Sequence, residues 1–191
     1  LNSSLYQISL GDGSCQVLQE GNAPECFVVS KDQANVAWMA AESASQATEI
    51  TVMSLETQET LSVASGEGQK VRALGFINDD FIYGIANDAD IITDISGNQT
   101  FAMHTIRIQG SDGTLKKEYH QDGVYVTGVF ISDGLLEMDR VVRQGDGYVE
   151  TTQDHIMNGE QQAEETLTSR MATIGDRREQ QMVLEFDQSG Q

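Results

Sequence analysis

One unit recurs along this chain: a short apolar run, a turn built on Asp, and a second short run. Residues 5–10, 36–39, 50–55, 81–85, 105–108 and 182–186 are short apolar or alternating runs that read as strands, whose side chains repeat with a period of two. Between such runs stand Gly11-Asp-Gly13, Lys31-Asp-Gln33, Asn78-Asp-Asp80, Ser111-Asp-Gly113, Ser132-Asp-Gly134 and Gly145-Asp-Gly147, residues that supply tight-turn geometry. Proline appears once, at Pro24, against 18 glycines. The polar stretch 160–165 lacks an apolar face and reads as a solvated loop rather than a packed helix. The chain is therefore expected to be all-β and built from hairpins.

The hairpins recur in order. One type places an Asp between two apolar strands: Phe27 to Asp32 to Trp38, Leu74 to Asp79 to Tyr83, and Val129 to Asp133 to Leu136. The second is a longer alternating strand, a polar turn and a short strand, beginning at Tyr6, Ile50 and Thr105. Together they make a four-stranded unit of blade length. Trp38 and Tyr83 occupy equivalent places and are expected in the core.

Val29-Ser-Lys-Asp-Gln-Ala-Asn-Val-Ala-Trp38, followed by the segment from Glu49 to Leu61, resembles the TolB-type or WD40-like β-propeller repeat, which reads roughly S-P-D-G-x-x-I-A-F and then I-Y-V-M-D-L-x-T-G-x-x-x-x-L. Lys31 and Gln33 stand where that pattern has proline and glycine. The resemblance covers one blade well and Leu74 to Leu115 more loosely. It implies a propeller-like array of antiparallel four-stranded blades in one domain, 1–191: a half blade over 1–22, blades over 26–65 and 70–120, and an irregular final blade with C-terminal strands over 123–187. About three and a half blades make a partial ring, or a small closed ring if the last strands pair with the first hairpin. A β-sandwich of two face-packed sheets is the alternative. Open sheet edges of a partial ring invite a homodimer.

Charge narrows the partners. With 30 acidic against 11 basic residues the net charge is −19, which repels phosphate backbones and anionic membranes, so no nucleic acid is expected. No apolar run reaches a membrane span. The chain opens on Leu1 without a signal-peptide pattern and reads as an excised piece of a longer protein. Its two cysteines, Cys15 and Cys26, flank a turn-rich stretch, and two readings stand: a cross-strand disulfide, which would favour an oxidising compartment, or two free thiols.

Chemistry-bearing motifs are sparse. His104, His120 and His155 lack the local spacing of a zinc site, no serine lies in GxSxG, and Ser65-Gly-Glu-Gly-Gln-Lys70 leads into a strand rather than a helix. Asn87-Asp-Ala-Asp90 opens a long connection, making Asp88 and Asp90 the candidate Ca²⁺ ligands against a reading as turn caps. No other cofactor is implied. The expected function is a non-catalytic, extracytoplasmic binding domain of a larger, anchored protein that presents propeller loops to a protein or glycan. The alternative is an accessory propeller of a hydrolase or peptidase whose catalytic domain lies elsewhere.

Overall fold

The computed structural model describes residues 3–132, 134–157, 169–171 and 182–184. The chain divides into two compact units, 1–158 and 159–191. In the second, β17 (Ser169–Met171) pairs antiparallel with β18 (Met182–Leu184). Asp133, the 160–165 stretch and the end of the expected strand 182–186 lie outside the described residues.

The first unit is all-β. Strands β1 (Ser3–Ile8) and β2 (Cys15–Asn22) form a two-stranded ribbon. A four-stranded meander follows, β3 (Phe27–Val29), β4 (Asn35–Met39), β5 (Glu49–Ser54) and β6 (Thr60–Ala64). The second four-stranded sheet has the order β12-β11-β8-β7, from β7 (Gln69–Ile77), β8 (Asp80–Asn87), β11 (Thr105–Gln109) and β12 (Leu115–His120). Its central connection carries a small hairpin, β9 (Ile91–Thr93) with β10 (Gln99–Phe101). The third sheet is β13 (Val124–Ser132), β14 (Leu135–Gln144), β15 (Gly147–Glu150) and β16 (Asp154–Met157). Strands β15 and β16 both pair with β14, at its two ends, so they run as one interrupted strand.

Period-two alternation explains how these layers pack. Successive side chains of a strand point to opposite faces, so a strand apolar on both faces must be covered on both. In β4, Val36 and Trp38 face the ribbon with Met53, against Leu5 and Leu18. Ala37 and Met39 point the other way and join Ile50, Val71, Phe76, Phe81 and Tyr83 between the first two four-stranded sheets. From β8, Ile82 and Ala86 turn to the third sheet and pack with Met103, Ile106, Ile108, Val126, Leu136 and Met138. The expected core residues Trp38 and Tyr83 are both buried.

The result is an array of antiparallel sheets stacked face to face in chain order, compatible with a partial propeller and deeper than a two-sheet sandwich. Within the first unit β1 and β2 pair only with each other, and the described residues form no closed barrel.

The cysteines correct one expectation. The strand facing β2 is β1, which places Cys15 opposite Ile8, whereas Cys26 closes a 3-10 turn, Pro24–Cys26. They are not cross-strand partners, and both are free thiols. Cys26 is fully buried, donates from Sγ to the Ala41 carbonyl at 3.6 Å, and has its thiol pKa raised by burial.

Candidate functional site

Meander topology decides which turns meet. The β3–β4 and β5–β6 turns leave the first four-stranded sheet at one end, and the β7–β8 and β11–β12 turns leave the second at the same end. Between them lies a cleft of about 730 Å³. Its apolar lining is Val52, Leu61, Phe76 and Phe81, the last two with ring centroids 5.3 Å apart. Glu56 and Glu59 come from the β5–β6 turn, Asp79 from β7–β8 and Asp112 from β11–β12, with Asn35, Ser54, Thr57 and Ser111 among them.

The rim carboxylates differ in their commitments. Asp112 Oδ1 accepts from the Thr114 hydroxyl at 2.6 Å and from its backbone N–H at 3.0 Å, bonds that lower its pKa. The same turn device recurs at Asp32, which accepts from Ser30 Oγ at 2.6 Å and Ala34 N at 3.0 Å, and at Asp12, held down to about 2 by the Ser9 and Ser14 groups. Glu59 Oε2 accepts from Thr57 Oγ1 at 3.4 Å, and neither it nor Glu56 nor Asp79 forms an ion pair among the described residues. Behind the rim, buried Asp80 holds Lys116 Nζ at 2.5 Å, and this raises the lysine's pKa.

Three of the rim turns are also strained. Gln33, Gln58 and Asn78 have φ of 62°, 61° and 52°, the only non-glycine residues with positive φ among the described ones. Each lies in a different hairpin turn at the cleft end. Left-handed backbone costs a side chain with a Cβ about 1–2 kcal/mol, and such outliers cluster at functional sites. Gln33 and Gln58 stand where the propeller repeat has glycine, and they adopt the conformation glycine would favour.

The acidic pair singled out from sequence lies at the other end of the second sheet. Asp88 Oδ1 is 3.4 Å from Lys70 Nζ. Asp90 is buried, its Oδ2 accepting from Asn87 Nδ2 at 2.8 Å and its Oδ1 lying 3.4 Å from Arg143 Nη1. The two candidate carboxylates thus stand beside different cations, Asp88 beside Lys70 and Asp90 beside Arg143. No group of three or more His, Cys, Asp and Glu side chains suited to a metal ion gathers among the described residues.

Around Asp90 a polar network ties the second sheet to the third. Gln69 Nε2 donates to Asn87 Oδ1 at 3.2 Å and lies 3.3 Å from His104 Nε2. The Tyr148 hydroxyl donates to the Asp90 carbonyl at 3.1 Å, and burial pushes its pKa up to about 12. Burial and the neighbouring His120 lower the His104 pKa, whereas the His104 carbonyl and Asp122 raise that of His120. These ties are structural links between sheets rather than an open site.

Sequence reasoning found the turn aspartates but took them as turn formers. It missed that the topology gathers Asp79 and Asp112 with Glu56 and Glu59 around one cleft. The available signal was the equivalence of the turns, which puts every second hairpin tip of a meander at the same end.

No protein-family model matches the sequence, and no curated protein matches it. Among solved structures, a protein from Lactobacillus plantarum is similar over 80% of this chain and 49% of its own, with 12% identity and a TM-score of 0.35. A chain of a mitotic checkpoint complex is similar over 80% of this chain and 72% of its own, with 10% identity and a TM-score of 0.25. The chain spans about half the length of the Lactobacillus plantarum protein. The described residues contain no helix long and apolar enough to cross a membrane.

Proposed function

We propose that this chain is a non-catalytic binding domain of a larger extracytoplasmic protein, and that it presents the turn end of its first two four-stranded sheets to a protein or glycan partner. The observation that supports this most is the cleft of about 730 Å³, where an apolar floor meets a rim formed by four separate turns, three of which contribute carboxylates and hydroxyls. An apolar body with a few convergent polar groups is the usual make-up of a recognition site. The strain held in three of these turns points to the same end of the molecule.

Rim chemistry favours a partner that brings cations. Among the described residues Glu56, Glu59 and Asp79 offer carboxylates without an ion-pair partner, and a net charge of −19 steers positively charged groups toward the chain. A lysine or arginine side chain fits both halves of the cleft, with its methylene stem on Phe76 and Phe81 and its charge among the carboxylates. A protein partner with a basic segment is therefore the leading form of the proposal. The extracytoplasmic setting and the larger parent protein rest on the likeness of the repeats to TolB-type propellers. Titrating the isotope-labelled chain with a lysine-rich peptide, and separately with neutral oligosaccharides, tests the reading by nuclear magnetic resonance. Peptide-induced shifts centred on Glu56, Glu59, Asp79 and Asp112 support it. Shifts centred on the opposite, Asp90-bearing end of the second sheet would overturn it.

A further inference from the structure

The polar chain from Asp90 to His104 has a direction, and that direction fixes where the histidine carries its proton. Asp90 lies beside Arg143 and, as a carboxylate, can only accept hydrogen bonds. Asn87 therefore turns Nδ2 toward Asp90 Oδ2, 2.8 Å away, and its own Oδ1 toward Gln69. That oxygen needs a donor, so Gln69 presents Nε2 at 3.2 Å. The second hydrogen of the same amide points at His104 Nε2, 3.3 Å away, and this ring nitrogen has to accept it. His104 is then neutral with its proton on Nδ1, which donates to the buried Thr105 hydroxyl at 2.8 Å.

A second proton has no place in this arrangement. An N–H on His104 Nε2 would meet the Gln69 amide hydrogens. Gln69 cannot offer Oε1 in their place, because the oxygen would also lie against Asn87 Oδ1, and Asn87 cannot turn without setting that oxygen against Asp90. The charged groups around the ring are Asp90 from the turn after β8, Arg107 from β11 and His120 from β12, while β7 contributes only the uncharged Gln69. Burial, His120 and Arg107 oppose the imidazolium, and Asp90 alone favours it. His120 is placed differently. Its Nδ1 donates to the His104 carbonyl at 2.8 Å and its Nε2 lies 3.2 Å from Asp122 Oδ1, so both ring nitrogens have acceptors when it is charged.

The far end of the polar chain is a joint between sheets. Gln69 and Asn87 face each other across β7 and β8, and Asp90 meets Arg143 of β14 and Tyr148 of β15. We infer that His104 is an acid-released latch on this joint: as a neutral ring it accepts from Gln69 and completes the chain that orients Asp90, and protonation at Nε2 breaks that bond and loosens the joint. Because the folded chain lowers the His104 pKa, the latch contributes stability above the range where a free histidine titrates and loses it as the pH falls through the folded value. His120, whose pKa is raised, contributes with the opposite sign, in acid, so the two are separated only residue by residue.

Long-range proton–nitrogen spectra of the isotope-labelled 191-residue chain, recorded from about pH 8 to about pH 4, make that separation. The expected result at the upper end is a His104 with its hydrogen on Nδ1. On acidification His120 titrates first, and His104 follows below the free-histidine range, in step with the side-chain amide signals of Gln69 and Asn87. Gln69→Glu supplies an acceptor to Nε2 and should raise the His104 midpoint by about 1–3 pH units. A hydrogen on Nε2 at the upper end, a His104 midpoint at or above that of His120, or a His104 titration that leaves both amides unmoved would each overturn the inference. So would a chain that unfolds as a whole before His104 charges, or an unchanged midpoint in folded Gln69→Glu.

Discussion

The two ends of the sheet stack finish in opposite ways. At the third sheet, β14 alternates Leu136, Glu137, Met138 and Asp139, with the apolar pair fully buried and the acidic pair exposed. At the ribbon, the residues that point away from the stack are Tyr6, Ile8 and Val17, as apolar as those that point in. The difference shows that alternation alone makes a strand, whereas the polarity of the outer positions decides whether the stack ends there. A charged outer face terminates it, and an apolar one leaves it open to another layer.

The stitching differs too. The ribbon is held mainly by apolar contact, while the third sheet is braced by Arg140 at the break between β15 and β16. Its Nε donates to the Thr152 carbonyl at 2.6 Å and its Nη2 to Thr152 Oγ1 at 2.9 Å. Nη1 lies 3.0 Å from each of Tyr119 Oη, Gln121 Oε1 and Asp154 Oδ2. One guanidinium thus spans the interruption and also reaches β12 of the second sheet.

The contrast breaks most readily at its inner residues. Leu136→Ala removes a fully buried side chain from the core between the second and third sheets and should cost about 2–5 kcal/mol in chemical denaturation. Truncating Ile8 to alanine on the ribbon's outer face should change monomer stability by no more than about 0.5 kcal/mol. Equal costs at the two sites would erase the distinction. Arg140→Ala should cost about 1.5–3 kcal/mol, the range for hydrogen bonds to a charged group, and should speed amide exchange over β15 and β16 before the rest of the sheet. Arg140→Lys should not restore protection, since one ammonium cannot reproduce the planar fork. The smallest effect is at the cleft end: Gln58→Gly relieves a φ of 61° and should raise stability by up to about 1 kcal/mol, because relief of strain is partly offset by glycine's greater chain entropy.

Much of the fold was readable from residues. The short apolar runs at 36–39, 50–55 and 81–85 led to four-stranded sheets, and the equivalent positions of Trp38 and Tyr83 to the core, where both are buried. The Asp turns were readable too, because a carboxylate accepting from a residue two positions on is a local device. What escaped was set by partners distant in sequence. Cys15 and Cys26 bracket a turn-rich stretch, yet Cys15 belongs to the hairpin closed by Gly11-Asp-Gly13, so its cross-strand neighbour is Ile8 rather than Cys26. Asp88 and Asp90 are neighbours in sequence, but they answer to Lys70 and to Arg143 of another sheet. The cleft was hidden for the same reason, since its four carboxylates come from turns of two different sheets.

Recognition is proposed to belong to the acidic cleft and not to negative charge in general. The direct test is calorimetric titration of a lysine-rich peptide into two charge-reversed variants of equal net charge, Glu59→Lys with Asp79→Lys at the cleft and Glu137→Lys with Asp139→Lys on the outer face of β14. The cleft variant is expected to lose binding, while the outer-face variant keeps it apart from a small, salt-screened weakening. Equal losses in both would contradict it.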